Sequence, residues 1–285
     1  MKRLSWELMA FGLAVLLSPF ARADYAFTTV DVPGATFTSL TGINDSGQMI
    51  GFYVAAGIRY DFLLSDGTYT TLYGPNGTGA FANGINNAGQ IVGYYFGADG
   101  LVHGFLRDSD GTYTTLDFPG FDSLDTEAYG INDSGQIVGQ YYGGGRIHGF
   151  LRDSYGRYTR FDAQGAFYTM LTGINHAGVL LGNTIDDDGG NGAFYFDSSF
   201  EPIIPVPGSA TYAFGINDVG DIVGFYGQPD GSSHGYLRSA DGNYTSLDVP
   251  DAQLTCAYGI NNNGIIVGSF DDQQNHTHGF VATPQ

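Results

Sequence analysis

Beyond its first 23 residues, the chain alternates short runs of β-branched and aromatic residues with runs of Gly, Asn, Asp and Ser. Apolar runs of this length, bounded by turn residues, predict β-strands. The segment AYGINDSGQIVGQYY at 128–142 contains two such runs on either side of Asn-Asp-Ser-Gly. Asn at the start of a tight turn and Gly at its end are typical of a β-hairpin, because Gly adopts the left-handed backbone conformation at low cost. Helical periodicity is absent from this part of the chain, so the pattern predicts an all-β protein.

The hairpin sequence is repeated along the chain. The triplet Gly-Ile-Asn occurs at 42–44, 84–86, 130–132, 173–175, 215–217 and 259–261, with spacings of 42, 46, 43, 42 and 44 residues. This period matches the roughly 40–50 residues of a β-propeller blade. In the third repeat we expect strands at 128–132, 136–142, 148–152 and 157–162. The consecutive apolar pair Ile137-Val138 indicates a strand that is packed on both faces. We therefore predict a six-bladed β-propeller of four-stranded antiparallel blades, with repeats starting near residues 35, 77, 121, 165, 208 and 251.

The two ends of the repeat region complement each other. The sixth repeat ends near Val281 after only three predicted strands, and the segment AFTTVDVPG at 26–34 is similar to TYTTLDFPG at 112–120, a fourth-strand segment. An unpaired edge strand favours aggregation. We therefore expect the N-terminal strand to complete the last blade and close the ring.

Residues 1–23 have the pattern of a signal peptide: a basic start, an apolar run around 8–17 and Ala-Arg-Ala at 21–23. We expect cleavage near Ala23 and a single propeller domain at 24–285, secreted to the extracellular space or the periplasm. The apolar run is too short for a membrane anchor, and no membrane insertion is expected. Cys256 is the only cysteine, so an internal disulfide is excluded.

Charge narrows the set of partners. The formal net charge of the whole chain is −19, and removal of Lys2, Arg3, Arg22 and Glu7 with the signal peptide lowers it to −21. Nucleic-acid binding depends on cations that neutralise phosphates, and these are scarce here. We therefore expect no nucleic-acid partner.

The run GIN-x-x-G-x-I-V-G, followed by HGFL and a Y-T-x-L-D-x-P segment, resembles the bacterial extracellular HAF-repeat family over essentially the whole of 24–285. The resemblance implies a secreted, β-rich protein. It implies no particular reaction and no catalytic residues.

Polar residues recur at fixed places in the repeats. Histidine opens the predicted third strand at 103, 148, 234 and 278, and we assigned Asp61 and Asn191 to this place in the first and fourth repeats. Metal ligation is one interpretation, but we favour a structural hydrogen bond within each blade. Aspartate ends the fourth strand at 31, 117, 162 and 248; a turn cap is favoured over a ring of calcium ligands. Calcium remains a weak prediction at Asp186, Asp187 and Asp188, with Asp271 and Asp272 second, and no other cofactor is expected.

The GIN asparagines, at 44, 86, 132, 175, 217 and 261, are predicted to bind turn amides. No catalytic motif is recognised, and no catalytic residue is assigned. Cys256 lies among apolar residues and is predicted to be a core residue.

The connections between repeats and between the second and third strands diverge in sequence, and function is often carried by variable loops on a rigid scaffold. They should lie on one face, which we predict to be the binding face. Its candidate residues are Tyr73, Phe81, Phe121, Asp122, Asp125, Glu127, Phe167, Tyr168 and Tyr212. Aromatic rings beside acids favour an extracellular glycan or a protein as ligand of a non-catalytic binding or matrix module. The alternatives are a polysaccharide-acting hydrolase or lyase that uses carboxylates of this face, and a structural surface-layer component.

Overall fold

The computed structural model describes residues 21–22, 25–120 and 123–285. Within these ranges the chain forms β-strands and one 3-10 turn, Pro75–Gly77, and no α-helix. The prediction of an all-β protein is confirmed. Most of the predicted signal peptide lies outside the described residues, as do the candidate site residues Phe121 and Asp122.

The strands form antiparallel units of four, and each unit contains one sequence repeat. Two strands precede the first unit, β1 (Ala21–Arg22) and β2 (Tyr25–Val30). The first unit is β3 (Phe37–Ile43), β4 (Met49–Ala55), β5 (Ile58–Ser65) and β6 (Thr68–Leu72). The second is β7 (Ala80–Ile85), β8 (Ile91–Phe96), β9 (Val102–Arg107) and β10 (Tyr113–Leu116). The third is β11 (Ser123–Ile131), β12 (Ile137–Gly143), β13 (Arg146–Arg152) and β14 (Tyr158–Phe161).

The fourth unit is β15 (Ala166–Ile174), β16 (Leu180–Asp186), β17 (Asn191–Asp197) and β18 (Ser199–Ile203). The fifth is β19 (Ala210–Ile216), β20 (Ile222–Gly227), β21 (Ser233–Arg238) and β22 (Tyr244–Ser246). The sixth begins with β23 (Leu254–Ile260), β24 (Ile266–Asp271) and β25 (Thr277–Pro284). In the third repeat the four strands lie where the sequence predicted them, although β11 and β13 begin earlier. Outside the units, β1 pairs in parallel with β22.

The N-terminal strand is the fourth strand of the sixth unit. β2 pairs antiparallel with β25 from Tyr25 opposite Pro284 to Val30 opposite Gly279. The ring of Phe27 packs edge-on against that of Phe280, with 5.7 Å between the centroids. This is the pairing that the sequence predicts for residues 26–34. It covers the edge of β25 with a strand from the other end of the chain.

The first strands of neighbouring units approach each other closely at the glycine of the GIN triplet, which recurs in all six repeats. A Cβ added to Gly130 would lie 3.0 Å from the Cα of Gly173 in the next unit. The same contact joins the last unit to the first, since a Cβ on Gly259 would lie 3.0 Å from the Cα of Gly42. Glycine is required here because the backbones leave no room for a side chain.

The hydrophobic core lies between the units. Ile137 and Val138 are both fully buried, but they contribute to different clusters, one shared with the second unit and one with the fourth. Successive residues of a strand point to opposite faces of its sheet. Both faces of β12 are therefore packed against neighbouring sheets, as the consecutive apolar pair predicted.

Candidate functional site

A channel lies between the first strands of the units, and its widest section is a cavity of about 270 Å³ that we call the funnel. Alternate residues of each first strand face this channel, while the residues between them are buried in the core. Residues from all six repeats line the funnel: Phe37, Ser39, Thr41, Phe52, Arg59, Phe81, Asn83, Tyr94, Tyr129, Thr172, Phe214, Tyr258 and Ser269. The funnel is thus built mainly by strands, whose rigidity holds these side chains in place.

Aromatic rings form much of the funnel wall, and several are fixed by stacking on one another. Phe81 and Tyr94 are nearly parallel, with 4.6 Å between centroids and 5° between planes. Phe214 packs edge-on against Tyr258 at 5.2 Å. Such ring pairs stabilise each other beyond the area they bury, by about 0.5–1.5 kcal/mol. The wall therefore presents preorganised apolar faces between the amide of Asn83 and several hydroxyl groups.

An ion pair at one side of the funnel breaks the repeat. Arg59 Nε and Nη2 donate to the two carboxylate oxygens of Asp61, at 2.9 and 3.0 Å. Asp61 is almost wholly buried and also accepts the Ala82 N–H at 2.9 Å. The Arg59 guanidinium stacks on Phe52 and Phe81, at 3.6 and 4.4 Å from the ring centroids. Burial raises the pKa of Asp61, and the hydrogen bonds and charge of Arg59 oppose that rise.

The strand register corrects one of our sequence assignments. Asp61 and Asn191 do not occupy the histidine place in the first and fourth repeats; Tyr60 and Gly192 pair with the second strand where His148 does. The assignment was wrong by one residue because it followed polar residues instead of the buried phenylalanine after them. A shift of one residue moves a side chain to the other face of the strand. Asp61 therefore lies at a place that faces the next unit and that is occupied by a small residue in the other repeats.

A second acidic residue lies beside the funnel. The Tyr129 hydroxyl donates to the Glu127 carboxylate. Burial first, and then the negative charge of Glu127, raise the pKa of Tyr129 well above its ordinary value, and the pKa of Tyr94 is raised by the same two causes. Both phenols therefore remain protonated hydrogen-bond donors at neutral pH.

Three of the candidate residues from the sequence are at or beside the funnel. Phe81 lines it, and Glu127 binds the lining residue Tyr129. Tyr212 stacks on Phe225 at 5.0 Å, and that ring in turn packs against a funnel residue.

The other described candidates lie away from the funnel. Tyr73 is exposed in the connection after β6. Asp125 accepts the Val102 N–H at 2.8 Å. Phe167 packs against Tyr168, and the guanidinium of Arg146 lies 4.9 Å from the centroid of the Phe167 ring. The structure does not gather these residues into one site.

Sequence reasoning missed most of the funnel, including Arg59, Phe52 and Tyr94. It looked for function in the loops, whereas the lining residues are on strands. Counting back in steps of two from the residue before the GIN glycine would have found the residues of the first strands, because that spacing places them on the channel face. The contribution of the second and third strands had no such signal.

The other end of the channel is lined by the GIN asparagines. The Nδ2 of each donates to the backbone oxygen of the equivalent asparagine in the next repeat, from Asn44 to Asn86 and onward, and Asn261 donates back to Asn44 at 3.1 Å. In Asn132, Oδ1 accepts the amides of Ser134 and Gln136. The predicted bonding of turn amides is confirmed, and the bonds between repeats are an additional finding.

In the residues that directly follow these asparagines, aspartate alternates with asparagine or histidine around the channel. They are, in chain order, Asp45, Asn87, Asp133, His176, Asp218 and Asn262. Asn87 Nδ2 donates to Asp45 and Asp133, and Asn262 Nδ2 donates to Asp45 and Asp218. An amide donor between two carboxylates offsets their repulsion. Strict alternation around a cycle requires an even number of repeats.

The histidines of the third strands bind the aspartates at the ends of the fourth strands. The Nδ1-to-carboxylate distances are 2.8 Å for His103–Asp117, 2.7 Å for His148–Asp162, 3.1 Å for His234–Asp248 and 2.9 Å for His278–Asp31. The favoured structural bond is confirmed in the four units that have a histidine at this place. We expected these aspartates to cap the following turn, and this expectation was wrong. Threonines of the first strands accept the turn amides instead, as Thr126 Oγ1 accepts the Phe118 N–H at 3.0 Å.

Two of these histidines bridge two carboxylates. His103 also contacts Asp99, and His278 also contacts Asp272. Burial opposes protonation, but the hydrogen bonds and charges of both aspartates raise the pKa of His103 and of His278. Both ring nitrogens of each histidine contact carboxylates, so neither nitrogen is left for a metal ion.

The acidic loop predicted to bind a cation is organised as a turn. Asp186 Oδ1 accepts the amides of Asp188 and Gly190, at 3.1 and 2.6 Å. The second candidate loop is similar, since Asp272 accepts the amides of Gln274 and His276. In the described part of the chain, no group of three or more His, Cys, Asp or Glu side chains is placed to hold a metal ion.

Cys256 lies on a first strand and is half-buried. Burial raises the pKa of its thiol to about 11. The thiolate, which is the nucleophilic form, is therefore scarce at neutral pH.

Comparisons with known proteins give the fold. No protein-family model matches the sequence, and no curated protein matches it. Among solved structures, TolB from Acinetobacter baumannii superposes with a TM-score of 0.56 at 14% identity, covering 80% of this chain and 60% of that protein, so the chain spans about three fifths of its length. The Aleuria aurantia lectin, described as a six-bladed β-propeller, gives 0.53 at 15% identity with 89% and 93% covered.

Virginiamycin B lyase from Staphylococcus aureus gives a TM-score of 0.51 at 12% identity, with 90% and 99% of the two chains covered. The three proteins differ in function, and at these identities the likeness concerns architecture alone. In the described residues, no helix is long and apolar enough to cross a membrane. The chain has the β-propeller fold, with four-stranded antiparallel sheets arranged around a central channel.

Proposed function

We propose that this protein is a closed six-bladed β-propeller that acts as a secreted, non-catalytic binding module, and that an extracellular glycan binds in the funnel. Six sequence repeats, the cycle of asparagine hydrogen bonds and the pairing of β2 with β25 support the closed ring. The pattern of residues 1–23 supports secretion.

The observation that carries the proposal is the combination of aromatic faces and hydrogen-bonding groups in one preformed cavity. Binding sites are typically concave and mainly apolar, with a few polar groups that fix orientation. Rings such as Phe81 and Tyr258 can stack on the apolar face of a sugar, and Asn83 and Arg59 can bind its hydroxyls. The fungal lectin described above is reported to recognise fucose, which supports the capacity of this architecture to bind sugars.

An enzyme, a protein-binding module and a surface-layer component would each require different features of the structure. A glycoside hydrolase needs two carboxyl groups at a defined separation, about 5–9.5 Å. Asp125 and Glu127 each already bind a protein donor, an amide and a hydroxyl respectively. A protein ligand would use the rim of the funnel more than its interior, and a surface-layer component would bind further copies of itself.

A glycan array tests the proposal. The secreted form, residues 24–285, is applied with and without EDTA, alongside the variants Phe81→Ala and Phe200→Ala. Phe81 lines the funnel, whereas Phe200 is a partly exposed ring of β18 in the outer part of the fourth unit. We expect saturable retention on at least one glycan that EDTA does not abolish, that Phe81→Ala removes and that Phe200→Ala retains.

Three results would count against the proposal. Retention that Phe81→Ala leaves intact would place the glycan elsewhere, and absence of retention on any glycan would exclude glycan binding in the funnel. Release of new reducing ends would identify an enzyme. Light scattering of the same samples detects self-association, the result expected of a surface-layer component.

A further inference from the structure

We propose further that the funnel receives the terminal ring of an uncharged saccharide, end-on, with Arg59 donating hydrogen bonds to it. This inference rests on the proposed function, and it specifies both the class of ligand and its orientation. It is carried by three observations: the small volume of the lower channel, the balance of charge at the funnel, and the departure of Asp61 from the repeat.

The channel below the funnel is too narrow for a chain to pass through. The section beneath it, at the level of the GIN glycines, has a volume of about 80 Å³, and the section at the asparagines has about 70 Å³. A polysaccharide therefore cannot thread along the axis, and a ring that fills the funnel must be at the end of a chain.

Charge at the funnel disfavours an anionic ligand. Arg59 is the cation of the wall, and Asp61 neutralises it at 2.9 Å. Glu127, bound to the lining residue Tyr129, adds a negative charge. The chain as a whole has a formal net charge of −19, and this field repels anions from the mouth. A uronic acid or a sulfated sugar would therefore gain no net attraction here, whereas an uncharged ring avoids the repulsion.

Arg59 is held in place by packing on two sides and retains donors for a ligand. Its guanidinium lies between Phe52 and Phe81, and its Nε and one Nη2 proton bind Asp61. The Nη1 protons and the other Nη2 proton have no place in this pair. A guanidinium fixed in this way presents directed hydrogen bonds at little entropic cost.

The position of Asp61 distinguishes the first repeat from all others. The equivalent residues are Gly104, Gly149, Ala193, Gly235 and Gly279. A buried carboxylate is costly unless it is paired. Asp61 is an exception to the repeat and requires Arg59 as its partner. Because the pair places Arg59 in the largest section of the channel, a contact with a ligand explains it best.

A tryptophan reporter tests the inference. The only tryptophan of the chain is Trp6, so residues 24–285 contain none. Tyr258→Trp places one fluorophore in the funnel wall, and Val219→Trp places a matched one at an exposed position on the turn after Asn217. The probes are methyl glycosides of neutral hexoses and deoxyhexoses and methyl glycosides of the corresponding hexuronic acids, whose carboxylates are free. Calorimetry on the unsubstituted protein accompanies the fluorescence.

We expect at least one neutral glycoside to change the emission of Tyr258→Trp saturably and to leave Val219→Trp unchanged. Its uronate should bind about tenfold or more weakly. The double substitution Arg59→Met with Asp61→Gly, which restores the small residue of the other repeats without leaving a buried charge unpaired, should weaken the neutral ligand by a similar factor. Thermal unfolding confirms that each variant is folded.

The two proposals fail in different ways. Equal or tighter binding of the uronate, or binding that the double variant leaves unchanged, would overturn this inference. So would glycan retention on the array that neutral glycosides fail to compete, because the ligand would then be recognised along its chain. Absence of glycan retention altogether would overturn the proposed function first.

Discussion

The two ends of the central channel are built by different rules. At the turn end, six asparagines repeat the same side-chain bonds and link each repeat to the next. At the funnel end, the residue three places before the GIN glycine differs in every repeat: Ser39, Phe81, Glu127, Met170, Tyr212 and Cys256. Positions that repeat stabilise the ring, whereas positions that vary determine the shape and chemistry of the cavity.

The ion pair of Arg59 and Asp61 is the clearest example of such variation. It lies on a strand, in a place where the other repeats have glycine or alanine, and it changes one wall of the funnel without changing the sheet.

Removing β2 should have the largest effect, because β2 is the fourth strand of the sixth unit. Deletion of residues 25–33 leaves β25 as an open edge and uncovers Phe280, which is fully buried. We expect the truncated protein to aggregate or fail to fold, as measured by size-exclusion chromatography and circular dichroism. A soluble, monomeric truncation that melts at the original temperature would contradict the role of β2.

Arg59→Met should destabilise the protein by about 3–5 kcal/mol, because it leaves Asp61 buried without its partner. The deficit should shrink at lower pH, since protonation removes the buried charge. Urea unfolding of this variant, of the double variant with Asp61→Gly and of Arg146→Met gives the comparison. Equal stability of Arg59→Met and the double variant would show that the pair does not act as a unit.

Asn132→Ala should reduce the free energy of unfolding by about 2–3 kcal/mol, because the amides of Ser134 and Gln136 lose their acceptor. Asn132→Asp keeps that acceptor but loses the donor to the Asn175 oxygen, so it separates the turn from the bond between repeats. Chemical denaturation measures both. Equal losses in the two variants would assign the stabilisation to the bond between repeats alone, because both variants lack the donor to Asn175.

The smallest effect concerns pH. His103 and His278 have raised pKa values in the folded protein, so their contribution is fully present below the unfolded value of about 6.5 and is lost as the pH rises through the folded value. Stability should therefore fall slightly as the pH rises above about 6.5, by about 1 kcal/mol or less because the pairs are partly exposed. The pKa of Asp272, lowered to about 2, changes nothing in this range.

His278→Asn should flatten part of this slope in melting curves recorded across the range. His276→Asn, in the turn just before β25, is the matched control. An unchanged slope in His278→Asn would show that the link between His278 and Asp31 does not contribute.

Much of the fold was predictable because it depends on local patterns. The GIN spacing gave the period, the Asn-to-Gly turns gave the hairpins, and Ile137-Val138 indicated a sheet covered on both faces. The candidate site was less accessible. Phe81 was identified, but Arg59 was not. Its pairing with Asp61 depends on the strand register, which turns Asp61 towards the next unit.

The sequence by itself determined the strands, the turns and the pairing partner of the N-terminal segment, since these follow from the two-residue period of a strand, from turn chemistry and from a missing fourth strand. Only the tertiary structure decided which residues meet at the channel. Residues as far apart in the chain as Phe37 and Tyr258 line one cavity because six separate strands converge there. That convergence depends on the packing of whole sheets, and no local pattern in the sequence encodes it.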